Sequence, residues 1–200
     1  VSEVAQHQLE EVVRVPIRVD FLPASSHGLP GHVGLTFAPG KRDGSKWARD
    51  LAIDLDHLRD HYRTDLLVSL MEDFEYEFLQ IADLGPEATA RGMRVRRFPI
   101  VDGHAPRNDQ MDAYIRLLRE IEEAAGAGEA VVIHCRGGLG RAGTEAAGVL
   151  VMRGALPQDA IATVRTTRSP DAVESFAQVA WIARVAAVLR TEADRPGTRL

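Results

Sequence analysis

The chain reads as a three-layer α/β/α protein with a mostly parallel central sheet, and three features of its sequence point there. Short apolar runs alternate with stretches of helical periodicity. The run Leu66, Leu67, Val68, Ser69, Leu70 has almost no polar alternation, as expected of a strand covered on both faces. Finally, Val131, Val132 and Ile133 lead into a glycine-rich loop and then an alanine-rich segment, 142–152, with the length and propensity of a buried helix.

Taken in order, residues 1–8 are polar and expected to be loose. Residues 12–21 alternate (Val13, Val15, Ile17, Val19, Phe21) and predict a strand. Residues 22–44 are rich in Gly, Pro and Ser, with Leu35, Thr36 and Phe37 as the best short strand among them. A helix is expected over 48–62, with Leu51, Leu55, Leu58 and Tyr62 on one face. His57 and His61 stand four apart on it, a spacing that can place two imidazoles on one metal. No third ligand follows and both lie beside the polar face, so they read as solvated histidines.

Residues 71–80 mix acids with Phe74, Tyr76 and Phe78 and predict a partly buried helix or loop against the sheet. A short helix over 86–92 ends at Gly92, and a strand over 93–98 stops at Pro99. Residues 109–125 carry Met111, Tyr114, Ile115, Leu118 and Ile121 at helical spacing, with Asn108 or Asp109 as the N-cap. Two more helices, 157–167 and 170–190, each have proline in the first turn. Val173, Phe176, Ala177, Ala180, Trp181 and Val188 are the expected core face of the last, and from Thr191 the tail is polar and expected to be disordered. There is no internal repeat and no long linker, so one domain is expected over 1–200.

A net charge of −5 argues against a general nucleic-acid or membrane-surface binder. The single cysteine excludes an internal disulfide, fits a reducing cytoplasm and leaves no resolving thiol should it be oxidised. No apolar run is long enough to span a bilayer, and residues 1–11 are too polar for a signal peptide; a soluble cytoplasmic chain is the expectation.

The chemistry concentrates in His134, Cys135, Arg136, Gly137, Gly138, Leu139, Gly140 and Arg141. A loop between a strand and a helix N-terminus aims backbone N–H groups at one spot, and the helix dipole makes that spot attractive to an anion. Gly137, Gly138 and Gly140 let the backbone curl into a nest, and Arg141 closes it with a planar fork suited to two phosphate oxygens. Cys135 lies at the floor, where donors and an arginine favour the thiolate, the nucleophilic form. A thiolate that displaces an ester oxygen needs an acid to protonate the leaving group. Asp102, between a strand and a loop bearing Gly103 and Pro106, is the candidate, and Asp109 is the runner-up, better explained as a cap.

His-Cys, five residues and Arg after an apolar strand resembles the signature loop of the cysteine-dependent protein tyrosine and dual-specificity phosphatases. That resemblance implies a phosphotyrosine-phosphatase-like fold with no cofactor and no metal. It implies attack on phosphorus by Cys135, phosphoryl binding by Arg141 and the loop amides, an assisting His134, and Asp102 as the general acid about thirty residues upstream. The stretch from Gly34 to Lys41 and the Ile100-Val101-Asp102-Gly103 pattern are similar to the cyclin-dependent-kinase-associated branch, which implies a phosphoprotein substrate, a kinase among the candidates. Phosphotyrosine is the expected ester, with phosphoserine and phosphothreonine beside it.

Two positions depart from the family. Ala142 stands where most members carry Ser or Thr, whose hydroxyl steadies the departing thiolate, so slow phosphocysteine hydrolysis is expected. Where the family often has Gln-Thr-x-x-Gln to position water, this chain has Glu174, Ser175 and Gln178. Both departures also support an alternative, a phosphate-binding pseudophosphatase with weak or no turnover.

Overall fold

The computed structural model describes residues 15–43 and 48–193. Five strands form one sheet in the order β1 (Asp20–Phe21), β2 (His32–Thr36), β5 (Ala130–His134), β3 (Thr64–Ser69), β4 (Arg94–Arg97). All neighbours are parallel except β1 and β2. Period-two alternation decides which layer each side chain joins. Leu66, Val68, Val131 and Ile133 face one core with Val33 and Leu35, whereas Leu67 and Val132 face the other.

The first core is covered by α5 (Met111–Gly126), α6 (Gly140–Met152), α7 (Pro157–Thr167) and α8 (Phe176–Ala193). The second is covered by α2 (Leu51–Asp60), α3 (Asp73–Phe78) and α4 (Leu84–Ala90). A single turn, α1 (Ala24–His27), leads into β2. The three-layer α/β/α expectation therefore holds, as does the helix over 157–167. The acidic-aromatic segment is the short helix α3, closed by a capping box between Glu72 and Glu75.

Several expectations need correction. Of the strand expected over 12–21, residues 12–14 lie outside the described set and only Asp20 and Phe21 enter the sheet, although Ile17 and Val19 are buried. The short strand expected over 35–37 is instead five residues, His32–Thr36, paired with β5 along its length. The cap of α5 is neither Asn108 nor Asp109: these sit in a 3-10 turn, Asn108–Gln110, closed by Gln110, whose Oε1 accepts from the Arg107 N–H and whose own N–H donates to the Arg107 carbonyl.

The last helix begins at Phe176, not Pro170. Its first turn is organised by Ser175 and Gln178, each backbone N–H bonded to the other's side chain, the Ser-x-x-Gln form of a capping box. Its buried seam is Gln178, Trp181, Ile182, Val185 and Ala186; Phe176 is 96% exposed, Ala177 and Ala180 are exposed, and Val188 is half-buried. A polar residue on the buried seam masks the period. The tail from residue 194 lies outside the described set, and 191–193 are still helical.

Among the described residues no helix is long and apolar enough to cross a membrane, and no group of three or more His, Cys, Asp or Glu is placed to hold a metal ion. His57 and His61 stack on each other with ring centroids 4.5 Å apart.

Candidate active site

β5 is flanked by parallel strands on both sides, so its C-terminal end opens at the centre of the sheet, where α/β folds present their ligand crevices. His134 ends that strand and Cys135 follows, 3% exposed. The loop then turns through Gly138, held at φ 71°, and α6 starts at Gly140. A Cβ at Gly138 would run into the main chain of Thr36 and Phe37, so only glycine fits where the loop crosses the end of β2. The Gly138 N–H donates to the Cys135 sulfur at 3.2 Å.

Arg141 is fully buried in its side chain. Nη1 and Nη2 form a fork on the two carboxylate oxygens of Glu75, at 2.6 and 2.8 Å. Nη1 also donates to the carbonyl oxygen of Ile100 at 3.0 Å, and Nη2 lies 2.8 Å from Asp102 Oδ1. Burial by itself would lower the guanidinium pKa; the Glu75 hydrogen bonds, the sulfur and the acids override it, and the pKa is raised. Glu75 shows the converse balance, where burial pushes its carboxyl up but Arg141 and the Glu72 main chain bring it below the ordinary value. This buried pair fixes the guanidinium plane, while Nε stays buried with no partner among the described residues.

Asp102 reaches the same guanidinium from a turn closed by the His104 N–H on the Val101 carbonyl, and it remains 54% exposed. His104 itself folds back, its Nδ1 2.8 Å from the Asp102 carbonyl. Asp109 pairs with Arg107 on the surface, at 3.1 Å, and is not part of this cluster.

His134 is fully buried, and burial drives its pKa down to about 4, against the opposing effect of the Cys135 main chain. The ring is therefore neutral at pH 7, and neither of its nitrogens has a hydrogen-bond partner among the described residues. Ala142 is fully buried, and Thr144, the nearest hydroxyl in sequence, donates to the Gly140 carbonyl at 2.8 Å, one turn back along its own helix.

Glu174 comes to the nest from the opposite side. Its carboxylate lies over Gly140, close enough that a Cβ there would collide with it. Burial raises its pKa, the Asp102 charge adds to this, and the Gly140 N–H and Arg141 oppose it. Val173, buried at φ 58°, precedes it; a β-branched residue in the left-handed region is strained, and the strain sits beside the nest. Gln178, fully buried, donates from Nε2 to the His104 carbonyl at 3.2 Å and so ties α8 to the acid loop.

Of the residues expected at the site, the structure brings Cys135, Arg141, Asp102, Glu174 and Gln178 together around the loop, and His134 ends the strand that leads into it. The sequence reading missed Glu75, hidden among the acids of 71–80; only the Glu72-x-x-Glu75 capping spacing hints that this carboxylate is fixed rather than solvated. It missed Lys41, which lies 8% exposed with Nζ 3.4 Å from the Arg136 carbonyl and 4.8 Å from the Phe37 ring centroid. It missed Arg168, which donates to the carbonyls of Gly137 and Gly138.

Comparison with known proteins agrees with this geometry. A family model described as the Swiss Army Knife protein, DSP-PTPase phosphatase domain, matches residues 54–189. The chain is 25% identical over 172 residues to cyclin-dependent kinase inhibitor 3 of Mus musculus (84% of this chain, 78% of that protein), and 27% identical over 173 residues to its Sus scrofa counterpart, with the same coverage. Among solved structures, kinase associated phosphatase with its catalytic cysteine substituted by serine superposes with a TM-score of 0.82 at 21% identity, covering 88% of this chain and 98% of that one. Tk-PTP in its active form superposes with a TM-score of 0.60 at 30% identity, covering 78% and 91%. The chain belongs to the Swiss Army Knife DSP-PTPase phosphatase family, as a cysteine-dependent phosphatase of phosphotyrosine- and phosphoserine-like esters.

Proposed function

We propose that Cys135 attacks phosphorus, that Arg141 and the amides from Arg136 through Gly140 hold the phosphoryl oxygens, and that Asp102 protonates the departing ester oxygen. The S–P bond forms as the P–O bond breaks, and the Asp102 proton goes to the leaving alcohol or phenol. Water then attacks phosphorus, giving a proton back to the Asp102 carboxylate as the O–P bond forms and the S–P bond breaks, and phosphate and the Cys135 thiolate are released, with Glu174 and Gln178 on the side from which water enters. The observation that carries this reading is the convergence on one spot of a sulfur bonded by a loop amide, a guanidinium locked by Glu75, and an exposed carboxylate on that guanidinium.

The substrate we infer is a phosphotyrosyl protein. Exposed Phe78, stacked under Arg136 at 5.0 Å, and exposed Val101 beside Asp102 offer apolar surface to an aromatic ring at the rim. A groove of about 620 Å³ beside the acid loop, lined by Glu72, Phe74, Pro99, Val101, Ala105 and Arg107, gives the flanking polypeptide a place to lie. Likeness to the kinase-associated proteins supports a kinase among the phosphoproteins served. The lone thiol supports a reducing, cytoplasmic setting, since no second cysteine could protect it.

Two measurements test the assignments. Asp102→Asn lowers kcat on an alkyl or poorly activated aryl phosphate by about 10²–10³-fold, and much less on an ester whose leaving group needs no proton. Equal losses on both esters would remove Asp102 from the acid role. Ala142→Ser restores a hydroxyl beside the leaving thiolate and speeds the second step about tenfold. Stopped-flow traces of the native chain should therefore show a burst followed by a slower steady state, and the burst should shrink in the variant. A linear native trace would mean that hydrolysis of the intermediate is not limiting.

A further inference from the structure

A trans peptide is planar, with its C=O and N–H pointing in opposite directions, so a partner that pins the oxygen also aims the hydrogen. Three consecutive carbonyls of the phosphate loop are pinned on its outer side. Arg136 O accepts from the Ala38 N–H at 3.3 Å and from Lys41 Nζ at 3.4 Å. Gly137 O accepts from Arg168 Nη2 at 3.5 Å, and Gly138 O from Arg168 Nε at 3.0 Å. The N–H groups of Gly137, Gly138 and Leu139 belong to those same three peptides and must point inward. The Gly138 N–H does so, toward the sulfur.

Such an arrangement does not hold itself. Inward amides present like ends of their dipoles to one another, and two of the residues are glycines, which rotate with little steric resistance. We propose that Arg168, anchored by Asp20, is a positioning residue that sets the peptide planes of the phosphate loop so that its amides face Cys135. The proposal rests on the phosphatase reading above.

The anchor is built for this. Arg168 Nη1 lies 2.6 Å from Asp20 Oδ2, with side chains only 11% and 8% exposed. The other oxygen of Asp20 accepts from Arg18 Nε at 2.7 Å. Arg168 stands at the C-terminal end of α7, its N–H on the Val164 carbonyl. One turn earlier, Arg165 holds the following loop through the carbonyls of Ala172 (3.0 Å) and Val173 (3.3 Å). Asp20 lies in the two-residue edge strand β1, which gives that fragment a purpose: it fixes a carboxylate at the sheet edge, opposite the loop. Arg168 acts through the backbone of the loop, from its outer side.

The test uses the full chain, whose only cysteine is Cys135. Alkylation rates with iodoacetate and iodoacetamide are measured at one pH: inward amides raise the thiolate fraction, which speeds both reagents alike, and favour the anionic reagent in addition, so the ratio of the two rates reports the cradle. Arg168→Met should lower the iodoacetate-to-iodoacetamide ratio and raise KM for an aryl phosphate, each by about tenfold or more, the size expected when an anion cradle is misaligned. Arg168→Lys cannot span two carbonyls and Asp20 at once, and Asp20→Asn keeps the shape without the charge; both should fall between Arg168→Met and the native chain. A general loss of packing would shift both alkylation rates together and leave their ratio unchanged. If Arg168→Met does not fold, the two conservative variants decide, and a native ratio and KM in both overturns the proposal. A native chain with turnover but unchanged variants sinks only the strut, whereas a native chain with neither turnover nor preference for the anionic reagent sinks the phosphatase reading and the strut with it.

Discussion

Arg141→Lys should lower kcat/KM at least about a thousandfold, close to 4 kcal/mol of transition-state stabilisation. The guanidinium does several things at once. It takes both oxygens of Glu75, holds the Ile100 carbonyl and meets Asp102, with Nε buried and without a partner among the described residues, the nitrogen that the proposed mechanism gives to a phosphoryl oxygen. An ammonium is a point charge with no fork, so it can satisfy Glu75 or the phosphoryl group but not both in plane. The loss should fall mainly on kcat, because the equatorial oxygens gain charge in the transition state. Glu75→Gln separates the two duties. It keeps an oxygen acceptor for the fork and removes the charge, so about a tenfold loss is expected, well short of the Arg141→Lys effect. If Arg141→Lys retained more than a tenth of native kcat/KM, planar recognition would not be what the site supplies.

Glu145→Leu should stabilise the fold at alkaline pH by about 2–4 kcal/mol and change little at pH 4. Glu145 lies on α6, fully buried, and neither oxygen has a hydrogen-bond partner among the described residues. The hydroxyl of Tyr114, the nearest polar neighbour, is given to the Thr144 carbonyl at 3.2 Å. Burial pushes the Glu145 carboxyl up from 4.5 to about 8, with the Tyr114 hydroxyl opposing the shift. Between those two values the folded chain keeps a proton that the unfolded chain releases. The contribution is therefore fully present below pH 4.5 and is lost as pH rises through about 8. Denaturant melts of both chains from pH 4 to 9 would check it: the native chain should lose stability relative to the variant across that window. Parallel curves would mean that Glu145 is not protonated in the fold.

Local signals carried much of this protein. The unbroken apolar runs of β3 and β5, the glycine loop between Ile133 and Arg141, and the proline opening α7 are each decided within a few residues, by burial on both faces, by turn geometry and by a fixed φ. Reading failed where a side chain's fate depends on a distant partner. Asp54 lies on the helix face expected to hold only apolar residues and is buried because Arg49 binds both its oxygens, at 2.6 and 2.7 Å. Gln178 broke the pattern of α8 in the same way, since the His104 carbonyl accepts its amide across the fold.

The sequence by itself determined the candidate nucleophile, its glycine loop and the arginine that closes it, because all three lie in one continuous stretch whose backbone path follows from its glycines and flanking elements. It also determined the layered class, since alternating strand and helix periods leave few other ways to bury two faces of a sheet. Only the tertiary structure decided what holds those groups in place: Glu75 on Arg141, Arg168 and Asp20 behind the loop, and Glu174 over the start of α6. Those partners lie between 30 and 148 residues from the group they hold. Charge and hydrogen bonding act over a few ångströms of space, and no short-range pattern along the chain records which distant residues folding will bring within that distance.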